Sequence, residues 1–467
     1  MAELADLTGN ALKLGGVANR KLRFLIHRCR RTLVAIPGYG VPILRGMLPL
    51  AVRSQGVLDA LLTLSDRLRH SDAHMGLSGS QDAAGMLLDT PNQTILDNYQ
   101  ESLSTLQDSL LSIQSGLRDG EEAIAMSIVL LIFGFPGHRI WSVHLNGLIA
   151  LIQDPGIPAL SSPYLSLQAS KLAAHADISA FSLGRAERSQ HLWLSWRIHP
   201  VERGPDSRGA RPQFSEFEVS TAYPESLVTI IALVSVVVED THSHSQSQRD
   251  RPIDRYIQNL ADYQRAIQHS TTPVETHASP HGASVNGSAT DDWRATEDLL
   301  AQWEPPRHPE GIAVNTSLAL ATAWSIMRKA TFIYLWRRGF DTDIRVPLGA
   351  DHTARTERFL REALSQMELL MQAAEQHDIM IANALLWPLT VLRNECAWYP
   401  DLQQTVLHYF GRLNRHFPIH HSRLVSGLLQ EVWALTEEHT REPDATPCGC
   451  LCLQYLAIHG DACIPLL

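Results

Sequence analysis

Tyr99, Leu103, Leu106, Leu110, Ile113 and Leu117 recur at intervals of 4, 3, 4, 3 and 4 residues. That spacing lays one apolar stripe along a helix of about five turns. A second stripe, Val57, Leu58, Leu61, Leu62, Leu64 and Leu68, follows Ser54, whose hydroxyl suits a helix N-cap. The same period runs through nearly the whole chain, and no convincing run of strands interrupts it. Striped helices need partners to cover their apolar faces. The fold class that follows is all-α, a single large irregular helical array.

Two further runs, Ala123 to Phe135 and Leu227 to Val238, are apolar on every side and read as buried helices. Neither approaches the ~18–20 residues that a bilayer span requires, so no membrane segment is expected. A chain of 467 residues that is 45% hydrophobic and 19% charged can bury a substantial core, which excludes overall disorder. The N-terminus, Met-Ala-Glu-Leu-Ala-Asp, places an acid where a signal peptide needs a basic flank. An intracellular location is the expectation.

The formal net charge is −10, and among the cations only Lys13, Lys21, Lys171 and Lys329 are not arginine. Duplex binding relies on basic groups that displace phosphate counterions, so autonomous DNA binding is not expected of so acidic a chain. The densest basic run is Arg20, Lys21, Arg23, Arg28, Arg30 and Arg31, interleaved with Leu22, Phe24, Leu25 and Ile26. Its period favours an amphipathic helix with a solvated face over a nuclear import signal.

Three polar, turn-rich stretches punctuate the helices, near residues 71–91, 201–213 and 242–292. They read as mobile surface loops, because such composition cannot bury enough apolar surface to offset chain entropy. Residues 1–20 read as a leader and 21–467 as one domain.

The six cysteines do not form a standard metal site. Cys29 and Cys396 lie alone within helical patterns. Cys448, Cys450, Cys452 and Cys463 have the spacing C-x-C-x-C-x10-C, unlike the paired C-x2-C of common zinc sites, and read as a reduced tail. No metal ligand set and no cofactor is assigned. Phosphate-cradling, nucleophile-elbow, metalloprotease and nicotinamide motifs are all missing from the sequence. Asp291-Asp292 and Glu297-Asp298 imitate the paired carboxylates of diphosphate sites, but fit an acidic helix start better. Asp341-Thr-Asp343 reads as a loop between helices. His420-His421 reads as a helix start on the surface, so no catalytic residue is assigned.

Trp141, His144, Leu145, Leu148 and Ile152 share one face of a helix that follows the run Ala123 to Phe135 across a short break. Packing of the indole and a hydrogen bond to the imidazole account for that face. Gly147, costing about 1 kcal/mol against Ala in a helix interior, is expected to mark a close helix crossing. Pro388 is expected to kink its helix.

In order along the chain come Leu48-Pro-Leu-Ala, Leu58 to Ser65, Tyr99 to Leu117, and the Trp141, His144, Gly147 spacing. Then follow His175-Ala-Asp177 through Gly184-Arg185, Tyr223-Pro-Glu-Ser-Leu227, Phe332 to Arg338, Leu386-Trp387-Pro388-Leu389, Gln430 to Trp433, and Gln454 through Leu467. This succession resembles the fungal-specific transcription factor regulatory domain, the all-helical region that usually follows a binuclear zinc-cluster DNA-binding module. The resemblance covers roughly residues 20 to 467, and the zinc-cluster cysteine pattern is missing from this sequence. Gly184-Arg185 stands where the family closes its aspartate-bearing helix.

The resemblance implies a nuclear regulator or co-regulator of a metabolic pathway, secondary metabolism included. It would act through a DNA-bound factor or the transcription machinery and respond to a small-molecule effector; a homodimer is left open. The alternative is a helical scaffold reused to bind a hydrophobic metabolite and catalyse its cyclisation or isomerisation. Under either reading the ligand-pocket candidates are Trp141, His144, Tyr334, Trp336 and Trp387.

Overall fold

The protein is represented by a computed structural model, which describes residues 15–32, 34, 41–77, 92–114, 120–135, 140–155, 157, 162–185, 187–196, 214–242, 289–308, 311–342, 344, 348–377, 379–416, 420–441, 452–459 and 462–466. Helices dominate. The first seven are α1 (Gly16–Thr32), α2 (Pro42–Arg53), α3 (Gln55–Leu77), α4 (Gln93–Gln114), α5 (Gly120–Gly134), α6 (Ile140–Gln153) and α7 (Pro163–Asp177). A 3-10 turn, Ser179–Phe181, and strand β1 (Ser182–Leu183) lead to the short α8 (Leu192–Ser195) and α9 (Glu216–Thr221). Next come α10 (Glu225–His242), α11 (Ala289–Gln302), α12 (Val314–Trp336), α13 (Ala350–His377), α14 (Leu386–Glu395), α15 (Pro400–His416), α16 (His420–Arg441) and α17 (Leu453–His459). Strand β2 (Ile464–Pro465) pairs antiparallel with β1, Ser182 opposite Pro465 and Leu183 opposite Ile464.

Helix α5 carries the apolar run beginning at Ala123, and all of its residues except Glu121 and Glu122 are buried. It packs on α3, α4, α6 and α7. Helix α12 is the second hub, against α10, α11, α13 and α14. The apolar α10 joins the two regions by touching α8, Ser179–Phe181, α11 and α12. Burial on all sides explains why α5 and α10 lack the polar face of a surface helix.

The basic run forms α1 with Leu22, Leu25 and Cys29 buried. Its cations Lys21 and Arg28 pair with Asp66 and Asp72 of α3 at 2.6 and 2.8 Å. The expected cap at Ser54 is present, its Oγ accepting from Val57 N at 3.2 Å. Along α4, Tyr99, Leu106, Leu110 and Ile113 lie half-buried against the core. Helix α3 runs on through residues 71–77, where a loop was expected; the remainder of 71–91 lies outside the described residues. So do 201–213 and nearly all of 242–292, whereas Asp291 and Asp292 begin α11 as an acidic helix start.

Two expectations fail for identifiable reasons. Gly147 is exposed, and a Cβ there would meet nothing within 4 Å. The close approach is at Gly134, where a Cβ would lie 2.8 Å from Trp141 Cα and 2.9 Å from its amide nitrogen. Backbone contact between the end of α5 and the start of α6 requires a residue with no side chain. Pro388 does not kink an α-helix, because the preceding Met380–Leu385 is 3-10 and α14 starts only at Leu386. In the first turn, the amide hydrogen that proline lacks is one with no intrahelical partner anyway.

Tryptophans bind elements together. Trp193 Nε1 donates to Thr229 Oγ1 at 3.0 Å, Trp324 to Ala222 O at 2.8 Å and Trp398 to Ile344 O at 2.8 Å. Each indole adds a directional tie to a large apolar contact. A buried bidentate pair, Arg337 with Glu395 at 2.6 and 2.9 Å, fixes the end of α12 to α14. Cys29, Cys396, Cys452 and Cys463 are buried free thiols. Burial pushes the Cys29 thiol up to about 12. Cys448 and Cys450 lie outside the described residues.

Candidate functional site

Helix α7 ends on Asp177, whose side chain is fully buried. A carboxylate at a helix C-terminus meets the negative end of the peptide dipoles, so it requires strong donors. The following loop supplies them. Ser189 Oγ donates to Asp177 Oδ2 at 3.0 Å, and the backbone amides of Gln190 and Leu192 reach the same oxygen at 3.0 and 3.1 Å. Arg185 Nη2 donates to Oδ1 at 3.0 Å while its Nη1 reaches the Asp177 carbonyl at 3.2 Å. One carboxylate thereby closes the loop between β1 and α8.

Gly184 adopts φ +70° within that loop. A Cβ there would lie 1.7 Å from the carbonyl oxygen of Ala462. Glycine alone combines this left-handed backbone with so close an approach. The C-terminal segment is held at the same point. Gly184 N donates to Gln454 Oε1 at 3.0 Å, Leu466 N to Phe181 O at 2.8 Å, and Trp141 Nε1 to Cys463 O at 2.9 Å.

Beside this junction lies a cleft of about 170 Å³. Arg185, Glu187 and Arg188 come from the loop, Val238 and Glu239 from α10, Tyr334 from α12, Phe340 and Asp341 from the turn after it, and Gln454 from α17. Segments remote in sequence thus converge on one polar recess. Burial raises the Glu239 carboxyl above its ordinary range, and the neighbouring Asp177 and Asp341 charges add to the rise. A hydrogen bond from Ser179 and the His191 ring, 3.6 Å away, act against it. Burial, then the charges of Asp341 and Glu239, push the Tyr334 phenol well above its usual value. Both carboxylates and Tyr334 line the same cleft.

Of the five residues singled out from the sequence, Tyr334 lines the cleft. Its ring lies 5.8 Å from that of the fully buried Trp387, which in turn meets Phe181 edge-on at 5.3 Å. Trp141, also fully buried, meets Phe135 edge-on at 6.3 Å. His144 shares a 2.6 Å hydrogen bond with Tyr99 Oη, and burial pushes its imidazole down to about 4. Trp336 stacks with His352 and with Phe359 at 5.1 and 5.6 Å and donates to Glu297 Oε1 at 3.1 Å. Trp141, His144, Trp336 and Trp387 do not line the cleft.

Sequence reasoning missed Glu239, Asp341, Arg188 and Gln454 as a group. One signal was available in Glu239, an acid directly after the apolar run that ends at Val238. Among the described residues no cluster of three or more His, Cys, Asp or Glu has the arrangement to hold a metal ion, and no helix is long and apolar enough to cross a membrane.

The succession of motifs and the helical array meet in one comparison: the model of the fungal-specific transcription factor domain matches residues 24–446. The chain belongs to that family. Transcription regulation is accordingly its role. The family match stops before the segment 452–466 that ties onto Gly184 and Trp141. No curated protein and no solved structure matches the chain.

Proposed function

We propose that this regulatory domain controls transcription of a metabolic pathway, secondary metabolism included, from the nucleus and through protein contacts. Its partner is a DNA-bound transcription factor or the transcription machinery. The observation that carries the reading is the family match over residues 24–446. A net charge of −10 supports contact with DNA through another protein. The polar cleft supports a small-molecule effector, because a ligand there touches the Gly184 loop, α10, the end of α12 and Gln454 together. Occupancy would bias how these elements pack, which is how a bound ligand shifts a conformational equilibrium.

Deleting the gene and measuring transcripts of its neighbours and of co-expressed metabolic genes tests the reading. A coordinated rise or fall is expected. Unchanged transcripts with an accumulating pathway intermediate would overturn it and move attention to catalysis. The fully buried Trp141 and Trp387 speak for regulation, since the helical interior around them is filled by aromatic side chains.

A further inference from the structure

Arg185, Glu187 and Arg188 line the cleft from the loop, and Glu239 and Asp341 line it from α10 and the turn after α12. Arg185 is 6% exposed, and with Nη1 and Nη2 committed to Asp177 its Nε is buried without a hydrogen-bond partner among the described residues. A buried guanidinium donor left open is unfavourable, and a ligand oxygen there would offset that cost. Arg188, exposed on the same loop, makes no ion pair with a described residue and supplies a second planar donor for a carboxylate. Glu239 and Asp341 line the same cleft together with Tyr334. An ammonium group between the two carboxylates would relieve their mutual repulsion and the burial of Glu239.

We propose that the cleft binds a free α-amino acid, with its carboxylate toward Arg185 Nε and Arg188 and its ammonium toward Glu239 and Asp341. This rests on the reading of the cleft as an effector site. Size agrees with charge: about 170 Å³ falls below the ~300–1,000 Å³ of sites for drug-sized ligands and suits a small zwitterion. Apolar contact from Val238 and Phe340 at the same recess is available to the ligand side chain.

The test uses the purified full chain and each proteinogenic L-amino acid separately, followed by thermal melting and titration calorimetry. At least one amino acid raises the melting temperature, and its N-acetyl derivative and its methyl ester each bind at least about tenfold more weakly, as expected for loss of one charge-assisted contact. Glu239→Gln, which keeps the side-chain shape, and Arg188→Gln, on the exposed rim, each weaken binding by about tenfold or more; melting of the unliganded variants verifies their folding. No shift with any amino acid overturns the proposal. Equal binding by the ester or the N-acetyl compound overturns it too, as does undiminished affinity in both variants. If binding fails while gene deletion still changes transcripts, the regulatory reading survives and only the ligand class falls.

Discussion

Asp177 offers a quantitative check on the loop that builds the cleft. In Asp177→Ala the Arg185 guanidinium, 6% exposed, loses its one carboxylate partner among the described residues, and the Gln190 and Leu192 amides lose their acceptor. Removing one member of a buried pair costs about 3–5 kcal/mol, chiefly through the uncompensated charge. Arg185→Ala is milder, about 2 kcal/mol, because Ser189 Oγ and two backbone amides still satisfy the carboxylate. The double variant should therefore lose about 4 kcal/mol, well short of the roughly 6 kcal/mol that independent effects would produce. Urea denaturation of all four proteins is the assay. Thermal midpoints discriminate poorly, since at ~2.1 cal/mol/K per residue a 467-residue chain moves only about 1 °C per kcal/mol. Additive losses, or an Asp177→Ala loss under about 1 kcal/mol, would refute the argument that this carboxylate compensates a buried cation.

Three other outcomes follow from the packing. Gly134→Ala should lower stability by about 1–3 kcal/mol because its Cβ meets Trp141 backbone, whereas Gly147→Ala should raise it by up to about 1 kcal/mol; equal effects in denaturation would contradict the assigned helix crossing. Gly184→Ala, strained at φ +70° and driven into Ala462 O, should free the C-terminal segment, read as faster proteolysis after residue 452 and faster amide exchange at Leu466 N. Burial holds the His144 and His175 imidazoles down to about 4 and about 3. Above about pH 6.5 both states are neutral there; as pH falls below it the unfolded chain takes up protons that the folded chain refuses, so stability drops continuously toward pH 4. A denaturation midpoint that stays level between about pH 7 and pH 5 would contradict this, and His144→Phe should lessen the slope.

Legibility in the sequence varied with the range of the interaction involved. The Ser54 cap, the α1 amphipathic face and the buried α5 and α10 depend on residues a few positions apart, so their patterns were visible at once. Gly147 was misread because a helical glycine carries no local mark of what it faces; the neighbour that decides is Trp141, and it selects Gly134. Pro388 was misread because the helix boundary depended on the 3-10 turn Met380–Leu385 ahead of it. The packed Trp141 and hydrogen-bonded His144 were foreseen as a pair on one face, although Tyr99 and Cys463, their partners, lie far away in the chain.

Fold class and the long buried helices were legible in the sequence alone, because helical periodicity and apolar content are short-range properties that survive without coordinates, and the family was legible in the order of its motifs. The cleft was decided only by tertiary structure. Arg185, Glu239, Tyr334, Asp341 and Gln454 share no spacing in the sequence; what brings them together is the carboxylate of Asp177 folding its loop back, the left-handed Gly184 admitting Ala462, and α10 packed against both α8 and α12.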